Sequence, residues 1–388
     1  MSTAEIGLVT YSTKPRGGVV HTLYLAEALM DAGVPVHIVT LGEPGSGFFR
    51  PTRVPYTVVP APAHADTLEQ RVFDSVDALE RGLRSLGQRF ALMHTQDCIS
   101  ARAAARIRDS GFGPRVVRTV HHIDDFTTPA LIDCQRQAVL EPDAVLVVSS
   151  VWREQLWREF GVDAQVVHNG VDVGRFAPIA PDCRAELRSR VNAAGRFLFL
   201  AVGGVEPRKG STYLFEALAR LRTRMQPTPV LAVIGGQSFQ DYERYRADAL
   251  GQLAHLGLAL GSDVVLLGTV PESEMAAWYR AADALAFPSV KEGFGLAVLE
   301  AMSADLPVVT SDLPVFREYL HAGRDALMAP VGDVSALCDA LHTVATNAQL
   351  RRALVRAGRP IAARFSWQAS AHEHRALYSR LLSTTQQA

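Results

Sequence analysis

Cysteine is scarce and scattered: Cys98, Cys134, Cys183 and Cys338 form no Cys-x-x-Cys and stand at no zinc spacing with a histidine. A disulfide framework and a structural zinc are therefore excluded as organising devices, and reduced thiols in a cytoplasmic protein are expected. Long apolar runs are missing as well. No stretch could span a bilayer, and the chain enters Ile6-Gly7-Leu8-Val9-Thr10 without the basic segment and apolar run of a secretion signal, so neither secretion nor integral membrane insertion is expected. Nor is there an excess of one charge. Lys plus Arg is 39 against 40 for Asp plus Glu, so no bulk field would draw in nucleic acid.

What is present is enough apolar residue, 48% of 388, to bury more than one core, and two domains follow from the length. Ile6–Thr10 reads as a buried strand, Lys14–Gly18 as a glycine loop, Val19–Ala32 as an amphipathic helix and Val36–Leu41 as a second strand, a βαβ unit. Glu43–Pro62 reads as an irregular excursion. Strand-like runs then recur at 92–94, 116–119 and 144–148 with helical patterns between them, the rhythm of a doubly wound, Rossmann-like parallel sheet. The pattern restarts at Phe197–Val202 and continues through Val230–Ile234, Val264–Leu267, Ala284–Phe287, Pro307–Thr310 and Ala326–Met328. The expected division is a first domain over 1–180, a connector ending near Ala194, and a second domain over 195–365, with the helix at 367–388 packing back on the first.

Several stretches carry possible chemistry, each beside an ordinary structural reading. Gly17-Gly18 could let a ligand approach the backbone or serve only the turn, and the loop lacks the third glycine of a dinucleotide fingerprint. Between Arg81 and Arg118 eight arginines face only Asp97 and Asp109. Solvated helix faces explain them, and a peripheral contact with anionic lipid stands as the alternative. His121 and His122 follow a strand at the end where open α/β sheets place ligands. Asp124 and Asp125 come next, but consecutive positions seldom converge on one ion, and no metal is expected there.

Arg208-Lys209 lies between a strand and a helix, so two cations and a helix N-terminus can meet one diphosphate. The run PSVKEGFGLAVLEAMSADLPVVTSD reads as loop, helix and strand, with Glu292 before the helix, Glu300 within it, and backbone amides at Gly293, Phe294, Gly295 and Leu296 around its start. Acids near a helix start are commonplace; combined with two cations in the same sheet they suit a ligand that is both anionic and polyhydroxylated. Asp-x-Asp occurs nowhere, which leaves charge stabilisation to Arg208, Lys209 and the helix terminus near Gly295 rather than to a metal.

On these residues the chain resembles the family-4 retaining glycosyltransferases, also described as glycosyl transferases group 1, over nearly its whole length. KEGFGLAVLEAMSADLPVVTSD is similar to the family's E-x7-E region; Val205–Gly210 to its diphosphate loop; Gly17-Gly18 to its N-terminal glycine pair; Asn169–Phe176 to NGVD-x-x-x-F; and Thr119-Val120-His121 to a T-x-H element. The resemblance implies the GT-B fold, two Rossmann-like domains facing across a cleft, with a nucleotide-sugar donor on the second domain and a hydroxyl acceptor on the first. It implies that Arg208 and Lys209 hold the diphosphate, Glu292 the donor sugar and Glu300 the ribose, while His121 approaches the reacting sugar. No cofactor or metal is implied. Ile234-Gly235-Gly236-Gln237, followed by Ser238–Tyr242, departs from the family's shorter glycine turn, and Leu313-Pro314-Val315 replaces a common glycine pair. The function so implied is retaining glycosyl transfer; the alternatives are another GT-B-like activity (a sugar-nucleotide epimerase or phosphorylase) and a noncatalytic nucleotide-binding module.

Overall fold

Strands that read as uninterrupted apolar runs need cover on both faces, and nearly every strand of this chain is followed by a helix that supplies it. The computed structural model describes residues 5–63, 66–111, 113–236 and 242–383. Two compact units result, one of residues 1–170 with 367–388, the other of residues 171–366.

The first unit runs β1 (Glu5–Thr10), α1 (Gly17–Asp31), β2 (Val36–Gly42), β3 (Tyr56–Pro60), α2 (Leu68–Ser85), β4 (Phe90–Thr95), α3 (Cys98–Asp109), β5 (Arg115–Val120), α4 (Pro129–Leu140), β6 (Ala144–Val147), α5 (Ser150–Phe160) and β7 (Gln165–Val166). Its seven strands lie in the order β3-β2-β1-β4-β5-β6-β7, and every pairing is parallel. Helix starts follow local chemistry. Thr67 caps α2 through the Gln70 amide, and Asp97 caps α3 in a reciprocal box with Ser100. One expectation needs correcting here: the stretch 43–62 is not wholly irregular, because Tyr56–Pro60 adds a parallel edge strand beside β2, half exposed and closed by a proline that an edge tolerates.

The second unit runs α6 (Pro181–Arg190), β8 (Leu198–Val202), α7 (Ser211–Arg222), β9 (Val230–Ile234), α8 (Glu243–His255), β10 (Val264–Gly268), α9 (Glu272–Ala281), β11 (Ala284–Phe287), α10 (Leu296–Ser303), β12 (Val308–Ser311), α11 (Pro314–Arg317), β13 (Leu327–Ala329), α12 (Val334–Thr346) and α13 (Ala348–Arg364). Its six strands are ordered β10-β9-β8-β11-β12-β13, again all parallel. Short 3-10 turns form at Val173–Phe176 and Pro207–Lys209. Residues 171–194, expected to end the first domain and connect to the second, belong to the second unit. Phe176 is buried edge-on against Tyr279 of α9, and Arg184 and Arg188 of α6 both pair with Asp283, whose carboxylate also accepts the Leu198 amide at the start of β8. A segment anchored by a buried ring and a shared carboxylate is part of a core, which composition alone did not reveal.

The last helix, α14 (Trp367–Ser383), packs on α1 of the first unit. Trp367 stacks on Tyr24, while Leu377 and Tyr378 join the core formed by Leu8, Leu23, Leu92 and Val117. Polar groups line the seam. His94 contacts the Tyr378 hydroxyl at 2.6 Å and Thr119 at 2.8 Å, His21 Nδ1 meets Asn169 at 2.8 Å, and His374 Nδ1 donates to the Ser370 carbonyl at 2.7 Å. Burial holds His21, His94 and His374 below the usual imidazole value of 6.5, with His374 lowered to about 4.

A histidine whose folded value lies below its unfolded one contributes stability that is present above pH 6.5 and lost as the pH falls, because the unfolded chain takes up protons that the core refuses. Urea unfolding should therefore show stability falling between pH 6.5 and about 4, with His374 alone accounting for about 3 kcal/mol. His374→Gln should flatten that slope, and an unchanged slope would assign the acid lability elsewhere.

Candidate active site

In an open parallel sheet a crevice forms at the carboxyl ends of the two neighbouring strands whose connections run in opposite directions. The strand orders put those points between β1 and β4 in the first unit and between β8 and β11 in the second. The residues singled out from the sequence cluster at both.

In the second unit the loop after β8 and the loop after β11 are joined backbone to backbone. Val290 donates to the Arg208 carbonyl at 2.8 Å, and Gly210, at φ +66°, passes so close to the Pro288 carbonyl that a Cβ there would overlap it. This contact brings Lys209 Nζ to 2.6 Å from Glu292 Oε1 and Arg208 Nη1 to 3.3 Å from Oε2. Lys209 also lies over the Phe287 ring, 4.5 Å from its centre. The Glu292 side chain is 7% exposed. Burial pushes its carboxyl up, but Lys209 and Arg208 more than offset this and hold it below the usual carboxylate value; burial pulls Lys209 down, and Glu292 partly restores it. The lowered carboxyl keeps Glu292 an anion between its two basic neighbours. Two cations with a shared carboxylate counter-ion make a site that can receive a phosphate dianion.

Gly295, at φ +89°, is the N-cap of α10, and a Cβ there would run into the Phe316 ring, so the turn from Glu292 into the helix requires glycine. Leu296 begins the helix, and its first amides lack intrahelical acceptors. Phe294 is one of the residues expected to offer a backbone amide. Its side chain is buried in an aromatic cluster with Tyr319 and Phe365, and the Tyr319 hydroxyl takes its carbonyl at 2.7 Å, so any contact it makes with a ligand is through the backbone amide. Glu300, in the second turn, accepts from the Tyr279 hydroxyl at 2.7 Å and lies 3.7 Å from Arg175 Nη1. Burial raises its carboxyl above the usual value, with Arg175 and Tyr279 acting against the rise.

In the first unit Gly17 and Gly18 are not a loop but the first turn of α1. A Cβ on Gly17 would meet no protein atom within 4 Å, and one on Gly18 would come only to ordinary contact with His121 at 3.7 Å, so neither glycine is demanded by packing. His121 Nε2 is 3.1 Å from Gln96 Oε1, and the ring stands edge-on to His21 with centroids 4.7 Å apart. Burial, aided by His122 and Arg118, pushes His121 down to about 3, so the ring is neutral; with Gln96 accepting from Nε2–H, Nδ1 keeps its lone pair. His122 points elsewhere, pairing with Asp124 at 3.3 Å. Gln135 pins that segment by bonding both the amide and the carbonyl of Asp124. Among the described residues no group of three or more His, Cys, Asp or Glu side chains could hold a metal ion.

The arginine-rich stretch is not a free basic surface. Arg84 pairs with Glu80, Arg89 with Glu5, Arg102 with Glu141, Arg106 with Asp77 and Glu80, and Arg108 with Asp109 and Asp143. Glu5, Asp77, Glu141 and Asp143 come from other elements than the arginines they meet, which a count along the chain misses.

Two family models match successive parts of the chain, Glycosyltransferase Family 4 over residues 15–175 and Glycosyl transferases group 1 over residues 184–360. A phosphatidyl-myo-inositol mannosyltransferase of Mycolicibacterium smegmatis is 30% identical over 378 residues, covering 94% of this chain and 90% of that one. The chain belongs to the family 4, group 1 glycosyltransferases. Its fold is GT-B: a sucrose-phosphate synthase of Thermosynechococcus elongatus superposes with a TM-score of 0.82 at 22% identity, over 98% of this chain and all of the other. The HepE protein of Anabaena, in complex with UDP and glucose, gives a TM-score of 0.77 at 18% identity, over 97% of this chain and 100% of that one.

In this glycosyltransferase the Leu313-Pro314-Val315 departure opens α11, where Pro314 occupies the first turn and Phe316 fills the space beneath Gly295. The other departure, at Gln237–Asp241, lies outside the described residues. Sequence reasoning missed Tyr279 and Gln96. Both sit on residues that look like ordinary helix and strand-end positions, and only the fold shows what their polar atoms face. Because Gly295 combines a left-handed conformation with a ring packed against it, Gly295→Ala should cost more than about 2 kcal/mol of stability. Thermal unfolding measures this, and a Tm matching the parent would show that the turn is less constrained than its geometry implies.

Proposed function

We propose that this glycosyltransferase moves a sugar from a nucleoside-diphosphate sugar to a hydroxyl acceptor with retention of the anomeric configuration. The observation that carries the reading is the pairing of Lys209 and Arg208 with the buried carboxylate of Glu292. A diphosphate competes with Glu292 for the two cations, and the carboxylate it displaces is then an acceptor for hydroxyls of the sugar attached to that diphosphate. The UDP and glucose bound by the Anabaena relative support a donor of this class.

The chemistry is mainly electrostatic. The bond between the anomeric carbon and the phosphate oxygen breaks with its electrons going to the phosphate, where Lys209, Arg208 and the first amides of α10 meet the developing charge. The acceptor oxygen bonds to the same face of the carbon, and its proton passes to the departing phosphate oxygen. His121, neutral and held through Nε2, offers Nδ1 as a hydrogen-bond acceptor to a sugar hydroxyl rather than a charge. The first unit is read as the acceptor side, and Gly17 and Gly18 leave room for a ligand at the first turn of α1. No metal or other cofactor enters this scheme. No helix among the described residues is long and apolar enough to cross a membrane, and the pairing of the arginines argues against an electrostatic membrane patch; the scattered free cysteines suit a cytoplasmic enzyme.

Incubation with a panel of nucleotide sugars should release nucleoside diphosphate only when a hydroxyl acceptor is present, and proton NMR of the product should show the donor's anomeric configuration. Lys209→Ala should lower the rate about 10²- to 10³-fold. Phosphate-dependent cleavage, or epimerisation without acceptor, would assign a different GT-B reaction, and binding without turnover would leave a noncatalytic module.

A further inference from the structure

Glu300 is braced by a set of contacts larger than a hydroxyl-binding carboxylate needs for its own stability. Tyr279 is completely buried on α9, and its hydroxyl donates to Glu300 Oε2 at 2.7 Å. Arg175 stands on the other side with Nη1 3.7 Å from Oε1, outside hydrogen-bond range. It is held there because Nη2 is committed to Glu272 Oε1 at 2.8 Å, and its guanidinium lies over the Phe176 ring, 5.3 Å from the centre. Phe176 in turn packs edge-on against Tyr279 at 5.6 Å, and its carbonyl is taken by Arg280. The turn Val173–Phe176 thus contributes one residue to each side of the carboxylate.

We infer that Tyr279 and Arg175 are positioning residues that aim the Glu300 carboxylate at a vicinal diol, so that the nucleotide site selects an intact ribose. The inference rests on the proposed function and on the ribose role that the family resemblance implies for Glu300. An ionised carboxylate has about four acceptor positions. Tyr279 takes one on Oε2 and fixes the plane of the group, while Arg175, drawn aside by Glu272, supplies positive charge without closing Oε1. What remains is an acceptor on each oxygen, the arrangement that two adjacent hydroxyls can share. A bidentate clamp by Arg175 would have sealed the same face; a missing Tyr279 would have left the group free to rotate. Because a site built to bond a hydroxyl rejects the analogue lacking it, this geometry should appear as discrimination against deoxynucleotides.

Calorimetric titration of the whole enzyme with a nucleoside diphosphate and its 2′-deoxy analogue tests this. The parent should bind the ribonucleotide at least roughly 10-fold more tightly. Tyr279→Phe should reduce that ratio by roughly three-fold or more through weaker ribonucleotide binding, raise KM for the donor and leave kcat within about two-fold. Combining it with Glu300→Gln should reduce the ratio no further than Glu300→Gln alone, as expected of groups acting through one another. If Glu300→Gln abolishes discrimination while Tyr279→Phe keeps it whole, the positioning role is wrong and the ribose reading stands. If Glu300→Gln itself keeps the ratio, the ribose reading fails. Should Tyr279→Phe not fold, Arg175→Gln carries the same expectation, and full discrimination in that variant would overturn the inference.

Discussion

Lys209 and Glu292 are 83 positions apart in the chain, and their 2.6 Å contact is the constraint on which the second unit's site depends. A buried carboxylate cannot be left alone, since removing one partner of such a pair strands a desolvated charge. The two loops must therefore arrive together, and the parallel sheet arranges this by placing β8 beside β11 at the point where the connections diverge. The close passage of Gly210 over Pro288 and the hydrogen bond from Val290 to Arg208 set the register between the loops. Arg208 then becomes the more exposed partner of the same carboxylate, its side chain 34% exposed against 13% for Lys209. Arg208 is therefore the cation that an incoming anion would reach first.

Beside its ion pairs, the first unit has a seam of neutral polar contacts where α14 meets the sheet. Four of its histidines, His21, His94, His121 and His374, cluster at α14, each turned to a hydroxyl, amide or carbonyl, and His121 lies against Gly18 in the first turn of α1. Low basicity is useful there. A neutral imidazole with one nitrogen occupied by Gln96 presents a single lone pair, which can accept from a hydroxyl without adding charge.

Much of this was legible in the sequence because it is periodic or punctuated. Buried parallel strands are apolar runs, and glycines at Gly210 and Gly295 mark turns whose positive φ the structure confirms. Glu292, Arg208 and Lys209 could be named because two cations and an acid fall at the ends of strands of one sheet, in stretches that resemble the family's motifs. What stayed hidden depends on contacts across the fold. Tyr279 looks like one more residue of an amphipathic helix, and its hydroxyl matters only because α10 places Glu300 against it. The segment 171–194 looks like a linker by composition, yet Phe176 and Asp283 tie it to a core. The arginines of 81–118 look like a basic patch because their partners, among them Glu5, Asp77 and Glu141, come from other stretches.

In the proposed function a carboxylate occupies the two cations until a diphosphate replaces it, and the released carboxylate serves the sugar. The most direct measurement is the affinity of a nucleoside diphosphate, which carries no sugar on its terminal phosphate, for the parent and for Glu292→Gln. Removing the competing charge should leave that affinity equal or strengthen it several-fold, while Lys209→Ala weakens it. A loss in Glu292→Gln as large as that in Lys209→Ala, with the fold intact, would contradict the exchange of counter-ions on which the account rests.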